Sequence, residues 1–276
     1  MVASLFRRVL VVILKKRAPL QLRLSKYHAK QIAHVLLTED VNSSSFLKQI
    51  KKYNPELMIV SGFPQIFKKH LLQIPAKGTI NLHGGPLPGY RGGSPLNWQI
   101  INGEKKLGIS SLLLDEGIDT GRVLSSATFS LAPNDTIREA HAKANNLFPG
   151  LLKQAIKKVM KLGRSAGLPQ STGAARYWHQ RNDEDGELCC FSMNSRQVLL
   201  KIKALSHPYP GAWVRFRGRK VRIFKAELPS VPVCGSPGKV LFLKGNGPFV
   251  VCRDRAVLLT ETRPSIKAKA PAYLDR

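Results

Sequence analysis

An amide, an imidazole and a carboxylate are spaced in this sequence so that they could act on one reacting group. Asn81 and His83 lie two residues apart in a short apolar run, so on an extended strand both side chains face the same side. Such a pair can hold a developing oxyanion and carry a proton. Asp119 lies in a later turn that could return to the histidine, where a carboxylate would orient the imidazole and favour its charged form.

The same stretch offers no serine or cysteine in a recognisable nucleophile setting. Direct attack by an incoming substrate group therefore fits these residues better than a covalent intermediate does. The residues alone also leave a second interpretation open. In that interpretation His83 is a structural hydrogen-bonding residue at the end of a strand, and the glycines around it only form turns.

Two strands, a loop and a helix must position these side chains. The strand Thr79–Leu82 runs into a loop, residues 84–95, that contains five glycines and three prolines. A helix over Pro95–Ile101 and a strand over Ile109–Leu114 follow. Because open α/β sheets bind ligands at the carboxyl ends of their strands, we expect the three side chains near the ends of two strands.

Strands and helices alternate through the first 162 residues, which predicts an α/β, Rossmann-like domain with a mostly parallel sheet. A long helix with apolar residues at helical spacing closes this part, after an Asn-Asp-Thr cap. The remaining predicted strands are Val9–Leu14, Val35–Leu37, Leu57–Val60 and Val123–Phe129, and the remaining helices are Leu24–Gln31, Ser44–Lys52, Phe67–Leu72 and Ile137–Leu162.

The composition changes after Gly163, where small and polar residues predict a linker. A helix over Asn194–Leu205 and several short strands with glycine turns then predict a small, OB-like β-barrel. We expect a catalytic domain at 1–162, a linker at 163–185, a barrel at 186–263 and a tail at 264–276. The predicted barrel strands are Ala212–Phe216, Lys220–Ala226, Val240–Leu243, Phe249–Cys252 and Val257–Thr260.

The chain is strongly basic, with a formal net charge of +27. This predicts affinity for polyanions such as RNA or nucleotides, with a solvated lysine-rich surface as the alternative. The four cysteines form no C-x-x-C pair, so a zinc site is not expected, and low cysteine use fits the reducing cytoplasm. The six-residue apolar run Val9–Leu14 is too short for a membrane span or a signal sequence.

Two segments together resemble the folate-dependent formyltransferase family. They are NLHGGPLPGYRGGSPLNWQIINGE and GISSLLLDEGIDTGRVL. They carry the family pattern N-x-H, a loop LP-x-(Y/W)-RG, an aromatic-bearing helix and D-x-G-x-D-T-G, in that order. The C-terminal stretch PGKVLFLKGNGPFVVCRDRAVLLTETRP also resembles the family's barrel. The family includes methionyl-tRNA formyltransferase and the sugar-nucleotide N-formyltransferases.

The resemblance implies transfer of a formyl group from 10-formyltetrahydrofolate to a primary amine. Asn81 and a protonated His83 would hold the oxyanion, and Asp119 would assist proton removal from the attacking nitrogen. No metal is implied, and a homodimer is one expected assembly. The implied folate contacts fall in three segments: Gly62, Phe63, Pro64, Gln65 and Ile66; Gly85, Pro86, Leu87 and Pro88; and Asp115, Gly117 and Ile118.

The acceptor amine is left open between two branches of the family. The HPYPGA sequence at 207–212 resembles the sugar-nucleotide branch and favours a nucleotide-linked amino sugar. Initiator methionyl-tRNA is the alternative, which a basic hairpin bearing Arg215, Arg217, Arg219, Lys220 and Arg222 would suit. Relative to the family pattern, the first strand and most of the first helix are expected to be missing before Val9. A second alternative is therefore an inactive folate-binding or RNA-binding remnant.

Overall fold

The computed structural model describes residues 10–15, 33–243, 246–267 and 272–275, and the side chains from Thr38 onward. The predicted helix Leu24–Gln31 lies outside the described residues. In the N-terminal part the strands are β1 (Leu10–Lys15), β2 (Ala33–Thr38), β3 (Met58–Ser61), β4 (Thr79–His83), β5 (Arg91–Gly92), β6 (Leu107–Leu113) and β7 (Val123–Phe129). The helices are α1 (Ser44–Tyr53), α2 (Lys69–Leu72), α3 (Pro95–Ile101) and α4 (Ile137–Leu162).

The central sheet has four strands in the order β3-β4-β6-β7. β3 and β4 pair in parallel, whereas β6 runs antiparallel to both β4 and β7, and β1 and β2 form a separate parallel pair. The predicted α/β class is confirmed, but the described sheet is mixed and not mostly parallel. β6 and β7 are joined by a loop that reverses the chain without a crossover helix, whereas β4 and β6 are antiparallel although helix α3 lies between them.

Helix α4 covers the sheet and has the bounds that the sequence predicts. It begins with a capping box in which Thr136 and Glu139 bond each other's backbone and side chain. Its apolar stripe includes Ala140, Ala144 and Val159, which are fully buried. The facing strand β6 is buried along its whole length. Burial on both faces accounts for its apolar residues, and its two buried serines, Ser110 and Ser111, pair with serine hydroxyls of β7.

The C-terminal part comprises α5 (Ser195–Leu205) and the strands β9 (Ala212–Phe216), β10 (Arg219–Glu227), β11 (Lys239–Leu243), β12 (Asn246–Val251), β13 (Ala256–Arg263) and β14 (Ala272–Tyr273). These six strands form an antiparallel half-barrel in the order β14-β11-β12-β13-β10-β9. The predicted tail thus contributes a strand, β14, at the sheet's edge. One apolar cluster joins the two parts, because Ile100 of α3 and Ile202 of α5 belong to it.

The segment between the two parts is ordered by contacts with the glycine loop. Its strand β8 (Tyr177–Trp178) pairs in parallel with β5, with Arg91 opposite Tyr177. The linker therefore lies against the loop that follows His83. Among the described residues, no helix is long and apolar enough to cross a membrane.

Candidate active site

His83, the last residue of β4, is buried, with only 6% of its side chain exposed. Its Nε2 lies 2.6 Å from the backbone oxygen of Tyr90. Because a carbonyl can only accept, Nε2 is the donor and carries the proton. The other nitrogen, Nδ1, lies 3.6 Å from Oδ2 of Asp119. The imidazole is thus held between a fixed acceptor and a carboxylate, an arrangement suited to moving a proton at Nδ1.

Asp119 reaches His83 because its loop folds back along the sheet. In the antiparallel register, Ser110 pairs with His83 and Leu113 pairs with Ile80. The carboxyl end of β6 therefore lies three residues, or about 10 Å, from His83. Asp119 takes a left-handed conformation with φ 53°, and its Oδ2 accepts a hydrogen bond of 2.9 Å from the backbone N–H of Gly92. The expected proximity is confirmed, but it arises from the loop and not from a shared strand edge.

Asn81 shares the His83 face of β4 and is half-buried. Its side chain makes no hydrogen bond to any residue in the described part of the chain. A half-buried amide without a protein partner costs free energy unless water or a ligand satisfies it. Asn81 therefore has its donor and its acceptor available for a bound substrate.

The glycine loop fixes His83 through Tyr90 and Gly85. The Tyr90 ring stacks on Trp178, with centroids 5.4 Å apart, and its hydroxyl donates to Glu104 at 2.6 Å. Burial, helped by the Glu104 hydrogen bond, raises the pKa of Tyr90 to about 12. A Cβ at Gly85 would lie 2.7 Å from the Tyr90 oxygen and 2.9 Å from His83 Nε2. The loop can close on the imidazole only because residue 85 has no side chain.

Two polar residues that the sequence did not single out hold this loop in place through hydrogen bonds to its backbone. Gln99, fully buried in α3, donates to the Gly84, Pro95 and Gly108 carbonyls and accepts from the Gly108 N–H at 2.6 Å. Ser110 Oγ accepts a 3.2 Å hydrogen bond from the Leu87 N–H. A glutamine inside an apolar helix was the available signal, but its partners are backbone groups that only the fold brings together.

A third unpredicted residue, Gln170 of the linker, braces the Asp119 loop. Its Nε2 donates to the carbonyls of Asp119 and Gly121, at 2.8 and 2.7 Å. Its Oε1 accepts from the Arg91 guanidinium at 2.9 and 3.0 Å. Arg91 is buried and donates further to the Tyr177 hydroxyl. The linker thus fixes both the loop that bears Asp119 and the strand that supplies the Gly92 N–H.

The side chains of the first predicted folate segment, residues 62–66, differ in whether the protein already engages them. Gln65 is occupied structurally, because its amide donates to the Glu39 carbonyl and accepts from the Val41 N–H. The side chains of Ile66 and Ile118, by contrast, are 60% and 48% exposed and are open to contact with a ligand. Gly62, with φ 61°, and Pro64 are exposed, while Phe63 is half-buried and packs edge-on against Phe67.

The other two predicted segments are rigid turns. Asp115 Oδ1 accepts from the Gly117 N–H at 3.2 Å and from the Thr120 hydroxyl at 2.5 Å, so this carboxylate shapes its own loop. Pro86 packs on Gly108, and residues 86–88 are half-buried beside His83.

The predicted basic hairpin divides into two sets of cations. Lys220 and Arg222 bind the Asp183 carboxylate, with Lys220 Nζ at 2.9 Å and Arg222 in a bidentate pair. Arg215, Arg217 and Arg219 are exposed, and their guanidinium groups form no ion pair among the described residues. The Asp275 carboxylate nevertheless lies at this turn, where it accepts from the backbone N–H groups of Arg217 and Gly218 at 3.0 and 2.7 Å. Within the described hairpin, the side chains of this second set are the ones that Asp183 does not bind.

Comparison with known proteins identifies the family. Residues 7–156 match the model for formyl transferase, and residues 181–274 match that for the formyl transferase C-terminal domain. The methionyl-tRNA formyltransferase of Pelobacter propionicus is 34% identical over 227 residues, which are 82% of this chain and 70% of that protein.

Solved structures establish the same fold. HypX from Aquifex aeolicus in complex with tetrahydrofolic acid superposes with a TM-score of 0.63 at 23% identity, over 92% of this chain and 44% of that one. This chain therefore spans less than half of HypX. WlaRD, a sugar 3N-formyl transferase, gives a TM-score of 0.63 at 18% identity, over 95% of this chain and all of that one. Matches to both family models, and a relative aligned over most of its length, make this chain a member of the formyl transferase family and a formyl-transferring enzyme.

Proposed function

We propose that this chain transfers the formyl group of 10-formyltetrahydrofolate to the amino group of methionyl-tRNA. The observation that carries the chemistry is the buried His83–Asp119 pair beside Asn81, whose amide has no protein partner in the described structure. The acceptor rests on sequence, because relatives 29–34% identical over about four fifths of the chain are methionyl-tRNA formyltransferases.

The role of each residue in formyl transfer follows from which of its polar atoms have no partner within the described protein. The neutral amine attacks the formyl carbon, and the Asn81 amide donates to the oxyanion that develops. His83 Nε2 is committed to the Tyr90 carbonyl, so Nδ1 with Asp119 takes the proton from the attacking nitrogen. The bond between the formyl carbon and N10 of the folate then breaks, and N10 receives that proton. This differs from the sequence-based expectation in assigning the oxyanion to Asn81 alone.

The donor would lie along the three segments inferred from sequence. Exposed Ile66 and Ile118 offer apolar contact to its ring system, and the backbone of residues 62–66 and 115–118 offers polar partners at its edges. The loop at residues 85–88 would place the formyl group next to Asn81 and His83. Gln65 contributes only its backbone here, because its side chain already holds residues 39–41.

The exposed arginines of the β9–β10 hairpin support an RNA acceptor. The guanidinium groups of Arg215, Arg217 and Arg219 form no ion pair in the described structure, and the three charges outnumber the one carboxylate at this turn, that of Asp275. Such a group binds phosphates through a salt-dependent, sequence-independent attraction. The triple alanine variant should therefore bind methionyl-tRNA more weakly and reduce the slope of log K against log salt by about 2–3.

A nucleotide-linked amino sugar is the second candidate acceptor. The specific observation is the segment at 207–212, HPYPGA, which resembles the sugar-nucleotide branch. In the structure the Tyr209 hydroxyl of this segment bonds His141 Nε2 at 3.1 Å, so the tyrosine is fixed against α4. Its ring borders the cavity beside the linker, where an acceptor of either kind could extend.

The test is formylation with defined substrates. Purified protein is incubated with 10-formyltetrahydrofolate and either methionyl-tRNA or an amino-sugar nucleotide, and the formylated product is measured. We expect N-formylmethionyl-tRNA, with kcat about 10²–10⁴-fold lower in His83→Ala and Asp119→Asn and about 10²–10³-fold lower in Asn81→Ala. Formylated sugar with unmodified tRNA would overturn the acceptor, and no product with either would overturn the proposal.

A further inference from the structure

A cavity of about 240 Å³ lies where the glycine loop, the linker and the half-barrel meet. It is bordered by Ser94 before α3, by residues 180–183 and 186 of the linker, and by residues 209–211 before β9. Sites that hold a whole small molecule usually occupy about 300–1,000 Å³. This cavity is smaller, so it suits one group of a larger substrate.

Arg181 borders the cavity with a guanidinium that has no acceptor in the described part of the chain. Its Nε is fully buried and makes no hydrogen bond. Burial lowers the pKa of Arg181, and the nearby carboxylates of Asp185 and Asp183 oppose that shift. An arginine remains charged under these conditions, so the protein has partly desolvated a cation without pairing it.

Ser94 supplies a second spare donor at the same place. Its Oγ accepts hydrogen bonds from Gln180 Nε2 at 3.0 Å and from the Arg181 backbone N–H at 3.3 Å. Both contacts use the oxygen as acceptor, which leaves the hydroxyl hydrogen without a partner among the described residues. Two unpartnered donors at one cavity, one of them cationic, call for an anionic acceptor.

The acidic residues nearby have other partners. Asp183 binds both Lys220 and Arg222. Asp185 accepts from His179 at 2.9 Å and from the Asn182 N–H at 2.8 Å. Neither carboxylate forms a hydrogen bond or an ion pair with the Arg181 guanidinium in the described structure, although both are near enough to favour its charged form.

The cavity lies close to the reacting groups. Ser94 is two residues from Gly92, whose N–H holds Asp119, so their Cα atoms are at most about 7.6 Å apart. Gln180, beside Arg181, packs against Gly93, where a Cβ would lie 2.4 Å from the Gln180 Cα. A group bound at Arg181 and an amine at His83 could thus belong to one acceptor molecule.

We infer that Arg181 and Ser94 bind a phosphate of the acceptor, namely the phosphodiester that precedes its aminoacylated terminal nucleotide. This inference rests on the proposed function for the identity of the acceptor. The guanidinium offers the planar, multiple N–H donors that match phosphate oxygens, and the serine hydroxyl offers one more. The linker then serves a second purpose, since it fixes Asp119 through Gln170 and the acceptor through Arg181.

The kinetic test compares Arg181→Met with Arg253→Met. Arg253 is exposed on the half-barrel, so its variant removes the same charge away from the cavity. We expect Arg181→Met to raise the KM for methionyl-tRNA about 10- to 100-fold, to leave the KM for 10-formyltetrahydrofolate unchanged, and not to lower Tm, because the lost cation had no partner. An acceptor KM equal to that of Arg253→Met, or a fall in Tm with both KM values raised, would overturn the inference.

A binding test separates this inference from the proposed function. Titration calorimetry measures the affinity of the protein for two probes: the dinucleotide CpA, which contains the phosphodiester, and the nucleoside diphosphate UDP. We expect CpA to bind the wild type at least tenfold more tightly than it binds Arg181→Met. If only the affinity for UDP depends on Arg181, the bound phosphate belongs to a nucleoside diphosphate and not to RNA, and the inference is overturned. If neither affinity depends on Arg181, there is no phosphate site here. These results hold even if no formylated product forms, the outcome that refutes the proposed function.

Discussion

Gly85→Ala tests whether the glycine loop positions the imidazole. Gly85 lies between His83 and Tyr90, and the ring of His83 donates to the Tyr90 carbonyl across it. A Cβ on residue 85 would lie 2.7 Å from that carbonyl oxygen and 2.9 Å from His83 Nε2. The first contact is with backbone and the second with a buried ring, so neither neighbour can rotate away.

The size of the effect follows from these distances. Ordinary van der Waals contacts begin near 3.4 Å, so a neighbour at 2.7 Å must move by about 0.7 Å. A misplacement of about 1 Å in a catalytic group can lower a rate about 10²-fold. We therefore expect kcat to fall about 10- to 100-fold, equivalent to about 1.4–2.7 kcal/mol in the barrier. Overpacking should also lower the free energy of unfolding by about 1–3 kcal/mol.

Gly89→Ala is the matched control in the same loop. A Cβ there would have only the Pro86 oxygen within 4 Å, at 3.8 Å, and Gly89 does not have a positive φ. The same methyl group is thus added without a clash. Steady-state formylation gives kcat and both KM values for each variant, and thermal unfolding gives Tm.

We expect the two glycine variants to differ from each other in kcat. Gly85→Ala should lose kcat while Gly89→Ala keeps it, with the KM for the acceptor little changed in both. Wild-type kcat in Gly85→Ala would refute the claim that the loop holds His83 in its working position. An equal loss in both variants would attribute the effect to loop stiffness and not to the imidazole.

Three other outcomes are expected. Gln99→Leu should lower the free energy of unfolding by about 2–4 kcal/mol in urea unfolding, because Gly84 and Gly108 lose their buried hydrogen-bond partners. Hydrogen bonds from Arg222 and Lys220 hold the pKa of Asp183 well below its usual range, so the contribution of this carboxylate to folding stability is present above about pH 4 and lost as pH falls below it. Asp183→Asn should lower the free energy of unfolding by about 1 kcal/mol at pH 7, and the stabilities of the variant and the wild type should converge in acid. A thiol reagent at neutral pH should modify exposed Cys189 and Cys234, and should modify buried Cys190 and Cys252 only after denaturant is added. The hydrogen bond between Cys190 and Cys252, together with burial, raises the pKa of Cys190 and so disfavours its reactive thiolate. Reaction of all four cysteines in the native protein would contradict this.

Local sequence was sufficient for the elements of this fold. The bounds of α3, α4, β7 and β9 follow from apolar periodicity, caps and turn residues, all of which act within a few residues along the chain. The spacing of Asn81 and His83 likewise determines that both face one side of a strand. The same local signals cannot determine strand direction, which is why a mixed sheet was predicted as mostly parallel.

Tertiary structure alone decided how the site is assembled. Asp119 meets His83 only because its loop folds back across an antiparallel register, and Gln170 braces that loop from 51 residues away. In sequence, Arg222 and Lys220 looked like free phosphate ligands, yet Asp183 of the linker binds both. Arg181, two residues before Asp183, has a guanidinium without a hydrogen-bond partner in the described structure. The sequence by itself determined which chemical groups are present and which face each takes on its own element. Their partners were decided by contacts between distant segments, because pairing of charges and polar atoms depends on distance in space.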